Sequence, residues 1–203
     1  MMEASKGRGR PRSFDADDAL DRALGVFWKH GFQSASLQEL TEAMGMSKPS
    51  LYAAFGDKEA LYLKALERYV AQHLARHVAI LDAEPDGRKA VAGFLRSVAA
   101  MMSDAAMPGG CFIINGTADL GGSTTPAAVE LALRNARQAS ETKLRARLVR
   151  AQREGQLAAD IRAEEMAALF GAVLAGLGVL AKSGVKPAKL NHVIEQAMAL
   201  WRA

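Results

Sequence analysis

Lys48, Ser50 and Tyr52 place three side chains suited to nucleic-acid chemistry within five residues, in Ser47-Lys48-Pro49-Ser50-Leu51-Tyr52. A lysine can bond the guanine edge, a serine can bond any base edge, and a tyrosine hydroxyl can meet a phosphate. The backbone N–H groups at a helix start attract a phosphate as well. Lys58 sets a cation at another helix start, where the dipole disfavours it and a neighbouring phosphate relieves it. The same spacing also fits an ordinary helical hairpin whose Tyr52 covers the core.

Local signals around these residues predict the elements that hold them. Asp15 caps a first helix, with Leu20, Leu24, Phe27 and Trp28 on one face and Gly31 at its end. Ser36-Leu37-Gln38-Glu39 is a capping box that opens a short second helix, stopped at Gly45. Ser47 caps a third, with Pro49 in its first turn, and Gly56 stops it. Leu40, Leu51 and Phe55 lock the two short helices at an angle, which is helix-turn-helix geometry. Asp57 then caps a long fourth helix to about Leu81. Further helices are expected at about 88–105, 111–120, 126–154, 160–182 and from Pro187 to about Trp201. The fold class is all-α, with about nine helices and no competing strand pattern.

Composition bounds the function. Half of the 203 residues are apolar and 6% are aromatic, which suits a helical core. The net charge of +4 is weak, but within residues 1–14 four basic residues face one acid, Glu3. A single cysteine precludes an internal disulfide and suits a reducing, cytoplasmic setting. The basic N-terminus has no apolar run behind it, so no signal peptide is expected. The charge-free apolar run 166–181 falls short of the roughly 20 residues that span a bilayer, so no membrane partner is expected. No nucleophile elbow, metal motif, phosphate loop or dinucleotide fingerprint occurs, so the chain reads as no enzyme and needs no cofactor.

The C-terminal part offers a candidate apolar cavity between helices. Phe94, Val98, Met101, Met102, Phe112, Ile113 and Phe170 are its candidate lining, and Asn115, with Thr117 and Asp119, could orient a ligand. Plain core packing explains any single lining residue better, so the reading concerns the region only, and Asn115, Thr117 and Asp119 fit a helix end equally well. Cys111 follows Gly109-Gly110 at a helix start, where a thiol's pKa falls, so it is a redox candidate. His73 and His77 stand at the i, i+4 spacing of two metal ligands but lack a third, so no metal site is assigned and both read as half-exposed. The run 134–153 holds seven Lys/Arg and one acid, Glu141, and reads as a solvated helix face.

The stretch from Phe14 to Leu66 resembles the N-terminal domain of the TetR family of bacterial transcriptional regulators. The matching features are the aromatic-Asp start, Gly31-Phe32, the Ser36 capping box, Gly45, Ser47-Lys48, Leu51-Tyr52, Phe55 and Lys58-Glu59-Ala60-Leu61. Thr41 stands where the family often has alanine. Residues 67–203 match in helix count and length only.

The resemblance implies a homodimer that grips a near-palindromic, double-stranded DNA operator. It also implies a repressor released by a small apolar effector whose identity is unknown. Lys48, Pro49 and Ser50 fall where the family contacts bases, Tyr52 and Lys58 where it contacts phosphates, and Ser36 and Ser47 at helix starts beside the backbone. The domains implied are a basic arm at 1–13, a DNA-binding domain at 14–58 and a ligand-binding and dimerisation domain at 59–203. Arg8, Arg10 and Arg12 in that arm suit a narrow minor groove, and the arm is expected to be disordered without DNA. Gly171, Ala175 and Gly178, with Leu190, Ile194, Met198 and Trp201 of the last helix, resemble the family's dimer interface. Two other readings stay open: a thiol- or electrophile-sensing regulator acting through Cys111, and a helical dimer that binds another protein.

Overall fold

The computed structural model describes residues 15–117, 120–121 and 124–203. Arg8, Arg10, Arg12 and Asp119 lie outside the described residues. Among the described residues the regular structure is all helical, with no strand. The helices are α1 (Ala16–Ser34), α2 (Leu37–Met44), α3 (Lys48–Phe55), α4 (Lys58–Tyr69), α5 (Ala75–Ala83), α6 (Gly87–Met102), α7 (Phe112–Gly116), α8 (Ala127–Arg153), α9 (Ala163–Lys182) and α10 (Pro187–Met198). A π-helical turn, Val70–Leu74, joins α4 to α5 without leaving right-handed helical geometry, so residues 58–83 form one rod.

The N-terminal unit is built from its caps. Asp15 accepts from the backbone N–H groups of Asp17 and Asp18, and Asp57 from that of Ala60. Gly31 sits at φ 77, ψ 178, a kink open to glycine, and beyond it only one turn remains before Ala35. Gly45 ends α2 at φ 66, and a Cβ there would meet nothing within 4 Å, so backbone conformation rather than space selects it. Helix α1 packs along α2 and α4, with Phe27 edge-on to Tyr62 at 5.0 Å and Trp28 edge-on to Tyr69 at 4.8 Å. Arg68 donates to Asp17 and Asp21 of α1 and draws the Asp21 carboxyl below the usual carboxylate range.

In the C-terminal bundle α6 is central, packed against α5, α8, α9 and α10. Val91, Leu95, Phe170, Leu177 and Ile194 are fully buried there. Arg147 is the exception to the solvated reading of the basic run. It is 2% exposed and donates Nη2 to the carbonyls of Glu84 and Pro85, clamping the turn before α6. Arg134, Arg137, Lys143 and Arg150 of the same helix are exposed and paired with Glu130, Glu141, Asp82 and Glu154.

Candidate nucleic-acid interface and effector cavity

The α2–α3 pair forms around three apolar side chains. Leu40 and Leu51 are completely buried and Phe55 nearly so, which fixes the crossing of the two short helices. In the capping box, the Glu39 N–H donates to Ser36 Oγ at 3.1 Å, and the Ser36 N–H donates back to Glu39 Oε2 at 2.9 Å. The Ser36 N–H and the Ser36 hydroxyl, both donating to Glu39 Oε2, hold the Glu39 carboxyl below its ordinary pKa, with nearby His30 and Lys29 adding to the effect. Ser47 Oγ takes the Ser50 N–H at 3.3 Å and pairs with Ser50 Oγ at 2.9 Å.

The outward side of α3 carries the residues singled out in the sequence. Ser47, Lys48, Pro49 and Ser50 are exposed, as is Ser36, and Tyr52 is 46% exposed although it is a large aromatic. The chain covers about half of Tyr52 and leaves the rest open beside Lys48 and Ser50. Lys58 differs from its expectation. Its Nζ lies 4.7 Å over the Phe32 ring and 3.4 Å from the Gln33 carbonyl. These contacts partly account for a cation at that helix start without any phosphate.

A cavity of about 380 Å³ lies in the C-terminal bundle. Phe94, Val98, Met102 and Ile113 line it, as expected of them. Met101, Phe112, Asn115 and Phe170 do not, and their places in the fold explain why. Phe112 stands between the rings of Tyr62 and Tyr69, at 5.2 and 5.4 Å. Phe170 and Met101 are buried in the core without bordering the cavity. Asn115 spends its amide donating to the Trp28 and Gly109 carbonyls, both at 3.2 Å, tying α7 to α1. Thr117 donates to the Ile114 carbonyl instead of facing a ligand.

The sequence reading missed the polar rim. Arg137, Ser140 and Glu141 of α8 line the cavity above Leu144, and Arg137 pairs with Glu141 at 3.1 Å. Their spacing of three, four and seven residues was the available signal for a shared face. Leu74, at the end of the π-helical turn, also lines the cavity, so one wall belongs to the rod that begins beside α3.

Cys111 lines the same cavity and is buried. Its environment reverses the expected activation. Burial pushes the thiol pKa up, and the Tyr69 hydroxyl bonded to Sγ at 3.2 Å and the first N–H groups of α7 only partly oppose this. Tyr69 is raised well above its ordinary value for the same reason, its burial. Of the two histidines, His77 is less open than expected, while His73 is not. His77 is 6% exposed, with Ser97 Oγ on Nδ1 and Arg76 Nε donating to Nε2, so both ring nitrogens are engaged. His73 is half-buried, 5.3 Å from the Trp28 ring and 5.7 Å from that of Tyr69. Burial lowers the pKa of both. Among the described residues no group of three metal-ligating side chains occurs.

Much of the expected dimer face is spent inside the chain. Leu190, Ile194, Met198 and Trp201 turn into the chain's own core, and the Trp201 indole donates to the Gln156 carbonyl at 2.8 Å. Gly178 is buried against Ile114. Gly171 and Ala175 are half-buried at the cavity. The apolar residues left on the surface of α9 are others, chiefly Leu169 and Val179.

Known proteins match both parts of the chain. Residues 19–65 match the family described as bacterial regulatory proteins, tetR family, and residues 87–197 match the tetracyclin repressor-like C-terminal domain. The HTH-type transcriptional repressor ComR of Escherichia coli (strain K12) is 34% identical over 197 residues, covering 97% of this chain and 93% of that protein. The HTH-type transcriptional repressor BdcR of the same strain is 31% identical over 196 residues, covering 96% and 89%. A cysteine mutant of the TetR family transcriptional regulator CifR, solved with a 26-bp double-strand operator DNA, is 42% identical. It superposes with a TM-score of 0.86 over 95% of this chain and 100% of that one. With helix-turn-helix, central rod and C-terminal bundle in the same order and both family descriptions matched, this chain belongs to the TetR family of bacterial transcriptional regulators.

Proposed function

We propose that this protein is a one-component transcriptional repressor that binds a near-palindromic operator as a homodimer and is released by a small, largely apolar effector. The observation that carries the reading is the outward edge of α3. Lys48, Pro49, Ser50 and Tyr52 are exposed together on a helix whose other side is locked by Leu51 and Phe55. Lys48 and Ser50 meet base edges, Tyr52 meets a phosphate, and Ser36 and Ser47 flank them at helix starts. Operator binding by the similar CifR and the repressor names of ComR and BdcR support it. In this reading residues 14–58 bind DNA and 59–203 bind effector and partner. The protein acts in the cytoplasm as a regulator and not as an enzyme.

Release follows from the shared rod. An effector pressing on Leu74 acts on the same helix that begins at Lys58, beside α3. A small tilt moves the two α3 helices off the separation of about 34–36 Å set by successive major grooves. The effector must bind the released state more tightly than the DNA-bound state, or nothing shifts.

The test is binding to the intergenic DNA beside the protein's own gene over a salt series. Competitor-resistant binding with a steep salt slope supports the reading, since phosphate contacts set that slope. Weak binding, equal on random DNA there and in a genome-fragment selection, turns the reading toward a protein-binding dimer.

A second reading, electrophile sensing, is favoured by one observation: Cys111 stands in the cavity wall. With its thiol pKa raised, only a molecule held in the cavity reacts there at a useful rate. Loss of effector response in Cys111→Ser, with operator binding kept, separates this from reversible binding.

A further inference from the structure

A second hollow, of about 340 Å³, lies beside α1 and shares no lining residue with the effector cavity. Three segments distant in sequence form it. Leu24, Gly25 and Trp28 come from α1, Gln72 and His73 from the π-helical turn, and Met107 and Pro108 from the segment joining α6 to α7. Asn115 fixes this arrangement, since its amide donates to both the Trp28 and the Gly109 carbonyls. The hollow therefore sits at the joint between the DNA-reading unit and the rod.

Two features of its wall are not needed to hold the fold. Gly25 stands inside α1, where glycine is less stable than alanine. A Cβ there would meet nothing within 4 Å and its φ is not positive, so neither crowding nor backbone conformation selects glycine. The missing side chain keeps the hollow open. Trp28 is 2% exposed, yet its indole Nε1–H has no hydrogen-bond partner among the described residues. Buried donors are nearly always paired. The π-helical turn, a geometry frequent at functional sites, sets His73 against Trp28 with ring centroids 5.3 Å apart.

The polar groups select the ligand. Asp21 also borders the hollow, but its carboxylate is engaged by Arg68 through Nε and Nη2. Gln72 joins that network, its amide donating to Asp21 and accepting from Arg68, each at 3.2 Å. A cation finds no free carboxylate there, and an anion meets the Asp21 charge. His73 touches Trp28 and Tyr69 by ring contact and makes no hydrogen bond among the described residues. Burial holds its pKa below the ordinary 6.5, so at neutral pH the imidazole offers a lone pair as well as an N–H. A hydroxyl satisfies both groups, accepting from the indole and donating to the imidazole. Leu24, Met107 and Pro108 leave an apolar place for the rest of the molecule.

We propose that this hollow is a second small-molecule site, taking an uncharged ring or short alkyl compound by one hydroxyl held between Trp28 Nε1 and His73. The proposal requires neither operator binding nor the homodimer. Its occupant touches α1 and the rod together, whereas the effector cavity has no α1 residue in its wall.

The probe is phenol, titrated into isotope-labelled protein while the indole N–H signals of Trp28 and Trp201, the two tryptophans, are followed. Trp201 is the internal control, because its indole is already bonded to the Gln156 carbonyl. The Trp28 signal is expected to move downfield and saturate while that of Trp201 stays. Benzene, the same ring without the hydroxyl, is expected to bind at least about tenfold more weakly. Gly25→Leu fills the hollow and should abolish the response while folding at least as stably as the wild type. A Trp28 signal that phenol leaves in place overturns the proposal. So does one that moves equally in Gly25→Leu, which would put phenol in the effector cavity instead. Equal affinity for benzene overturns the role given to the hydroxyl. Should Gly25→Leu fail to fold, His73→Phe keeps a ring and removes both nitrogens. It is expected to weaken phenol at least about tenfold, and an unchanged affinity overturns the proposal.

Discussion

Asp15, Ser36, Ser47 and Asp57 each accept a backbone N–H at the start of α1, α2, α3 and α4. At the starts of α8, α9 and α10 no described side chain does so, and in that half of the molecule Asp86 caps α6 alone, accepting the Lys89 N–H. The two ends of the molecule therefore hold their helices differently. The eight-residue α2 and α3 need ends defined by neighbouring residues, and each cap stabilises by about 0.5–2 kcal/mol. Long helices that bury apolar faces on α6 obtain their order from packing. The difference suits a DNA-reading unit whose geometry stays fixed and a bundle whose packing leaves a cavity. A ligand changes the second without unmaking the first.

This contrast predicts where each part breaks, and the largest effect belongs to the bundle. Phe170→Ala removes a fully buried ring and is expected to cost about 3–5 kcal/mol in denaturant melts. A loss near the value for a surface residue would mean that packing does not hold this half. Lys48→Ala is the counterpart at the interface. It should weaken operator binding by about 1–3 kcal/mol and leave the melting temperature unchanged, because Lys48 is exposed. An affinity that stays put removes Lys48 from the interface.

Gly116→Ala probes the seam between the two parts. A Cβ there would lie 2.7 Å from the Tyr62 hydroxyl and 2.9 Å from Leu133, so overpacking of about 1–3 kcal/mol is expected. Unchanged thermal stability would show that the seam yields freely. Ser36→Ala should cost about 1 kcal/mol through the lost cap, with hydrogen exchange faster in α2 than in α9. Equal changes in both helices would contradict the local character of the N-terminal unit.

The smallest effect is a pH dependence. His73 and His77 have pKa values held below the ordinary 6.5, chiefly by burial and secondly by Arg76. The unfolded chain therefore binds more protons than the folded one just below that pH. The stability these residues contribute is present above pH 6.5 and declines as pH falls through and below it. Melting temperatures from pH 7.5 to 5 should fall gently, and less so in His77→Gln. A wild-type curve that rises toward pH 5 would reverse the sign.

Legibility in the sequence follows the same division. The capping box at Ser36, the Ser47 cap and the glycines at 31 and 45 declare themselves within a few residues, so α1 to α3 and the exposed edge of α3 could be read directly. The Lys58 contacts could not, because Phe32 and Gln33 are in α1, with α2 and α3 lying between. The expectation of a reactive Cys111 followed from a helix start, a local feature, while the burial that overrides it comes from α4 and the cavity wall. Likewise Leu190, Ile194, Met198 and Trp201 have the spacing of an apolar face. Nothing in that spacing says whether the face meets its own chain or a partner.

By itself the sequence determined the all-α fold, the order of the helices, the caps and turns of the DNA-reading unit, and the identity of the side chains on its outer edge. Each rests on interactions between residues at most four or five apart. Only the tertiary structure decided which apolar faces are spent inside the chain, where the bundle leaves a cavity and which polar groups rim it. It also left the outer stripe of α9 open. Those outcomes depend on how whole helices pack against one another, and a helical period fixes a face without naming its neighbour.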